Sequence, residues 1–267
     1  MALNWGDLSL MKRNYVLGLV TVCFALFAAN SFEAPINYGD FSDIPPGAVM
    51  YTDVTESSGT DPVPPPLYGP PELEINTLDF DPVGFVATSS GGPLDIVDGQ
   101  LNFGIEMAPG SGLSSLFLSE GGDYSFGGFD GAGTTVSAGA IIRVEIQEVD
   151  GAALTTPIVV TASSSFFTDM AATGGATPGP LPWGLGVFVD FGPVLPLDSL
   201  VTKAEVVINN QLITNSEEDS LAFIAKKEFE LIPGGDLDPD DVIPEPTSLA
   251  LVTCCLVGLA ARRRRNG

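Results

Sequence analysis

The sequence predicts an all-β protein: a two-sheet antiparallel β-sandwich, jelly-roll-like, flanked by an N-terminal signal helix and a short C-terminal transmembrane helix. Three observations carry that expectation. Gly at 31 and Pro at 22 of 267 residues suit many short strands joined by tight turns better than long helices. Period-2 alternation of apolar and polar residues recurs along the body, and no segment shows a convincing 3.6-residue period. A hydrophobic share of 45% is enough to bury a core, which argues against disorder throughout.

Taken in order, the chain first shows a basic start, Lys12-Arg13, followed by an apolar run over 15–29, the layout of a secretory signal peptide. Asp7 and Trp5 fit poorly ahead of such a signal, so Met11 is the expected start of translation. Small residues at Ala29 and Ser31 satisfy the −3 and −1 positions and place cleavage after Ser31, making residues 1–31 the signal segment.

The body is expected over 32–232. Its alternating runs are Leu101, Phe103, Ile105, Met107; Val136, Ala138, Ala140, Ile142, Val144, Ile146; Leu185, Val187, Val189, Phe191; and Leu221, Phe223, Ala225, continuing through Phe229 and Leu231. Further strand candidates are 48–54, 113–118, 158–167 and 204–214, for roughly nine strands in all. Asp98-Gly99 and Asp150-Gly151 both read as hairpin turns. Two loops interrupt the pattern: the Pro-rich 61–71 and the stretch 173–186, which carries Trp183. Trp183 is the candidate ligand residue: exposed, it offers a platform for a sugar ring; buried, it closes the end of the core.

Charge and composition then bound the function. With 10 Lys+Arg against 34 Asp+Glu the formal net charge is −24, which disfavours nucleic acid as a partner because phosphate binding needs neutralising cations. The body is more acidic still, since Arg143, Lys203, Lys226 and Lys227 are its basic residues. The chain has no His, which excludes triads built on imidazole and His-ligated zinc for this chain acting alone. Carboxylate pairs remain, so a glycosidase or polysaccharide lyase stands as an alternative, but nothing in the pattern selects a pair. The reading adopted is non-enzymatic, with no catalytic residue assigned; a calcium-dependent carbohydrate-binding module, with extracellular polysaccharide as its partner, is the other alternative. Calcium is the candidate cofactor, at Asp40, Asp43 and Glu56 near the start of the body together with Glu228 and Glu230 near its end, on the expectation that terminal strands of a sandwich are neighbours. Cys23, Cys254 and Cys255 all fall outside the body, so no disulfide supports it.

After the body comes an acidic linker, 233–243, whose Asp236-Leu237-Asp238-Pro239-Asp240 has a calcium-loop rhythm but lacks the glycine that such a loop needs. The end of the chain, 244–267, holds Pro244-Glu245-Pro246, an apolar run over 249–261 and the cluster Arg262, Arg263, Arg264 and Arg265. A thirteen-residue helix rises only ~20 Å, which spans a ~30 Å hydrocarbon core marginally. Arginines that follow an apolar run hold the C-terminus on the cytoplasmic side.

The order Pro-Glu-Pro, short hydrophobic helix, arginine cluster, end of chain resembles the PEP-CTERM sorting signal of exported bacterial proteins. The resemblance implies processing by the membrane protease-transpeptidase exosortase, with Pro244, Glu245 and Pro246 as the sorting motif and Arg262 to Arg265 as the terminal basic cluster. It further implies transient anchoring in the inner membrane, then release to the cell surface or extracellular matrix. The stretches 38–56, 120–124 and 210–231 resemble body segments of exported PEP-CTERM proteins that carry a β-sandwich, and this implies fold without chemistry.

Overall fold

The computed structural model describes residues 34–43, 47–60, 66–129 and 131–237. These residues form twelve strands and no helix: β1 (Ile36–Ser42), β2 (Val49–Ser57), β3 (Glu72–Glu74), β4 (Thr77–Phe80), β5 (Val86–Ser90), β6 (Asp95–Met107), β7 (Gly112–Gly128), β8 (Thr135–Val149), β9 (Ala152–Asp169), β10 (Leu181–Asp190), β11 (Val201–Asn215) and β12 (Ser220–Asp236). Every pairing is antiparallel. The all-β, sandwich-like architecture expected from the alternation is therefore present. The signal segment with Ala29 and Ser31, the sorting motif and the arginine cluster lie outside the described residues.

The pairings resolve into two layers. One sheet runs β1-β2-β6-β11-β8-β9, because β11 pairs along its length with β6 on one side and β8 on the other. The second is built around β7 and β12: β10 lies outside β7, and β4 and β5 share the far side of β12, with β3 outside β4. A lone pairing, Val201 with Leu113, joins the two sheets at one end. Inward side chains such as Leu101, Phe103, Ile142, Val144, Leu118, Ile224 and Phe229 are 0–2% exposed and fill the space between the layers, as facing antiparallel sheets require.

Several sequence expectations need correction. Asp98-Gly99 is not a turn: β6 runs straight through it, and Gly99 pairs with Asn210. The glycine is needed because a Cβ there would sit 2.6 Å from Phe85 and 2.8 Å from Tyr68, whose rings pack on that spot. Asp150-Gly151 is the turn expected, with φ of 52° and 74° and Val149 paired to Ala152 across it. The stretch 173–186 is loop only in its first part, since β10 begins at Leu181. The last strand runs on past 232 to Asp236, still paired with β7, and therefore takes in the start of the expected linker.

Candidate functional site: a lysine, a carboxylate and an amide between the sheets

The residue type least expected inside a sandwich is a lysine, and β12 puts one there by a bulge. Ahead of the bulge the inward positions are Ala222, Ile224 and Lys226; after it they are Phe229 and Leu231. The register shift between Lys226 and Glu228 leaves Lys227 as the extra residue and flips the parity of the strand. The alternation Leu221, Phe223, Ala225 marks the opposite parity, so sequence periodicity turned Lys226 outward. The structure buries it and leaves Leu221 38% exposed.

Lys226 Nζ donates to Glu120 Oε2 of β7 at 2.5 Å, and both side chains are 1% exposed. The other oxygen of the same carboxylate accepts from Asn210 Nδ2 of β11 at 2.6 Å. Asn210 Oδ1 in turn accepts from the Tyr68 hydroxyl at 2.6 Å, with Gly99 O as a longer second acceptor at 3.2 Å. One carboxylate from the second sheet thus holds an amine from that sheet and an amide from the first.

Around the amine stand three rings, Phe85, Phe229 and Tyr68, with centroids 5.0, 5.4 and 5.7 Å from Nζ. They pack edge to face, Tyr68 against Phe85 at 5.1 Å and against Phe229 at 5.5 Å. An ammonium has three N–H groups to satisfy, and here one meets an oxygen while the rings offer only their faces. Burial consequently pulls the Lys226 amine below the ordinary lysine range, although the Glu120 charge opposes this. Burial also pushes the Glu120 carboxyl up, against the opposing effects of Lys226 and the Asn210 hydrogen bond. The Tyr68 hydroxyl is held well above its ordinary value, first by burial and then by the nearby carboxylates Glu120, Glu56 and Asp98, so it remains a proton donor.

Tyr68 reaches the site from the loop between β2 and β3. Glu56, at the end of β2 and wholly buried, accepts from Leu67 N at 2.5 Å, Tyr68 N at 3.2 Å and the Tyr38 hydroxyl at 2.6 Å. Its carboxylate, offered to calcium by the sequence, is thereby buried and engaged as the anchor of the loop bearing Tyr68. The other acids of that assignment are scattered. Asp40, on the outermost strand of the first sheet, accepts from Asp53 N at 2.8 Å. Asp43 lies just past β1, with its carbonyl accepting from Gly47 N. Glu228 and Glu230 are on β12, central in the second sheet, with Glu230 opposite Asp79. The expected adjacency of terminal strands fails because β1 is an edge strand of one sheet while β12 lies in the middle of the other. Among the described residues no group of three or more Asp, Glu, Cys or His side chains is placed to hold a metal ion.

Trp183 is 5% exposed, donates from Nε1 to Ala225 O at 3.0 Å and stacks on Phe166 at 6.0 Å. It closes the core where the edge strands β9 and β10 meet, and its ring is not offered to a ligand at the surface. A cleft of about 470 Å³ lies at one end of the sandwich, lined by Glu106, Glu148, Asp150 and Lys203 among others. Its acids are partly engaged: Glu106 pairs with Lys203 at 2.5 Å, and Asp150 accepts from Leu200 N at 2.9 Å.

No family model matches the chain, and no curated protein matches it. Among solved structures it is similar to a carbohydrate-binding module of the β-sandwich superfamily, at 12% identity over 71% of this chain and 62% of that one, with a TM-score of 0.18. It is also similar to the VP2 subviral particle of infectious bursal disease virus, at 12% identity over 70% of this chain and 49% of that one, with a TM-score of 0.12. The chain spans less than two thirds of either, and at these scores the likenesses carry no argument.

Proposed function

We propose that this chain is an exported, exosortase-processed protein whose sandwich-like body serves at the cell surface or in extracellular matrix without catalysing a reaction on another molecule. The observation that carries this reading is the ordered terminus: Pro244-Glu245-Pro246, an apolar run over 249–261, then Arg262 to Arg265. It is supported by the signal layout at Lys12, Arg13 and 15–29, and by a body in which the unusual polar groups are spent inside the core. Mass spectrometry of the secreted form is expected to show residues 1–31 missing, together with everything after the Pro-Glu-Pro region. Intact Arg262 to Arg265 in mature surface protein would refute the C-terminal half. Replacing Glu245 with Ala is expected to impair sorting and leave the body folded, since Glu245 lies beyond the last strand among the described residues.

One observation favours carbohydrate binding as a second reading. Phe117 and Phe188 are directly paired across β7 and β10 and are 38% and 59% exposed, giving an apolar ledge on the outer face of the second sheet. The Phe117 ring lies over Gly186, where a Cβ would meet it at 3.0 Å. Binding of the purified body on a glycan array, lost on replacing both phenylalanines with Ala, would establish this reading; an unchanged signal in that variant would remove it.

A further inference from the structure

We infer that Lys226 and Asn210 react with each other to form an intramolecular amide that ties the two sheets together across the core, with Glu120 as proton carrier and Tyr68 as oxyanion donor. The inference is independent of how the chain is sorted. It rests on one carboxylate holding both partners, Nζ of Lys226 at 2.5 Å and Nδ2 of Asn210 at 2.6 Å, in a site where all four side chains are buried.

The chemistry needs four things that this site supplies. An amine is nucleophilic only when neutral, and burial favours that form of Lys226 although the Glu120 charge opposes it. A carboxyl beside it must take and return a proton near neutrality, and burial biases Glu120 toward holding one. A primary amide is a poor electrophile unless its oxygen is hydrogen-bonded where charge will develop, and Tyr68 donates to that oxygen at 2.6 Å. The reactants must also be held together without water, which the closed core achieves.

The step balances without a co-reactant. The Nζ lone pair attacks Asn210 Cγ, the new C–N bond forms, and the carbonyl electrons move onto Oδ1 against the Tyr68 hydroxyl. Glu120 takes a proton from Nζ and delivers a proton to Nδ2. The oxyanion then collapses, the Cγ–Nδ2 bond breaks, and ammonia leaves. The carboxyl ends as it began, and no oxidation or reduction occurs. In a body with no cysteine, such a bond does what a disulfide does in disulfide-linked domains.

The test is peptide mapping of the purified full chain. Trypsin is expected to stop cutting after Lys226, because an acylated lysine is not a substrate. The product is then a single peptide over 204–227, lighter than its sequence by one ammonia. Further cleavage after Glu217 or Glu218 is expected to leave the two halves joined as a branched species. Glu120→Gln, which keeps the shape of the site but cannot carry the proton, is expected to give the linear peptide 204–226 at full mass. Tyr68→Phe, which keeps the ring, is expected to slow bond formation about a hundredfold. Should either variant fail to fold, the wild-type map still decides. A linear 204–226 peptide at full mass overturns the inference. So does an ammonia deficit whose halves separate after cleavage at Glu217, which would mark a succinimide at Asn210, and so does loss of water in place of ammonia, which would mark a Lys226 to Glu120 amide.

Discussion

A carboxylate facing other carboxylates across paired strands raises its own affinity for protons, and Asp79 is such a residue. It lies opposite Glu72 of β3 on one side and Glu230 of β12 on the other. Partial burial pushes its carboxyl up, and the charges of Asp81, Glu230, Glu74 and Glu72 add to the shift. Because the folded-state value lies above the unfolded one, the folded state binds the proton more tightly. The relative stability from this site is fully present below the ordinary carboxylate range and is lost as pH rises through the interval up to the raised value. Replacing Asp79 with Asn is therefore expected to stabilise the body at neutral pH by about 0.5 kcal/mol at low salt, a small figure because the site is solvated. Denaturant titrations at neutral pH and at about pH 3, below the carboxylate range, should show the gain in the first and none in the second.

At the scale of the strand, what was legible in the sequence and what was not divide at the bulges. Regular strands such as β6 and β8 announce themselves by alternation, and Leu101 to Ile105 and Val136 to Ile146 are buried as that pattern requires. The short strands β4 and β5 are stabilised by pairing with β12, and β3 by pairing with β4; the pairing with β12 is a non-local cause that no window of sequence carries. The bulge in β12 hides Lys226 for a related reason: its parity is set by the register with β7, while the local apolar residues Leu221 and Phe223 point to the other face. Asn210 and Glu120 sit in strands of mixed polar and apolar residues, and only the fold brings the Asn210 amide and the Lys226 amine to the Glu120 carboxylate.

That bulge depends on Gly122, which pairs with Lys226 and where a Cβ would fall 2.0 Å from Ala225 O, a backbone atom that cannot swing away. Gly122→Ala is expected to cost about 3 kcal/mol, as overpacking against fixed atoms does. Gly127→Ala on the same strand meets only Leu221, at 3.7 Å or more, and is expected to change stability by less than about 0.5 kcal/mol. Urea unfolding of the two variants measures the contrast directly. Comparable losses in both would mean that the strand as a whole, and not the bulge, is sensitive.

For the whole molecule the governing quantity is charge, a formal −24 on a chain in which Arg143, Lys203, Lys226 and Lys227 are the cations of residues 32–232. Such a body repels itself, so any salt relieves part of the strain of folding. A specific calcium site would add stability beyond screening, because an ion that binds only the folded state stabilises it by mass action. The placement of the acids argues against one at the positions the sequence suggested. Glu56 is occupied by two backbone N–H groups and the Tyr38 hydroxyl, Asp40 belongs to an edge strand of the first sheet, and Glu228 and Glu230 lie mid-sheet in the second. Calcium selectivity comes from a loop set wrapping the ion with 6 to 8 oxygens at a fixed radius, which magnesium cannot satisfy in the same geometry. Diffuse screening by scattered carboxylates responds to the charge of the ion and little to its size. Melting temperatures of the body in calcium and in magnesium at equal ionic strength are accordingly expected to agree, with both above the value in monovalent salt at low concentration. A rise seen with calcium alone would show that the acids converge in a way these strands do not provide.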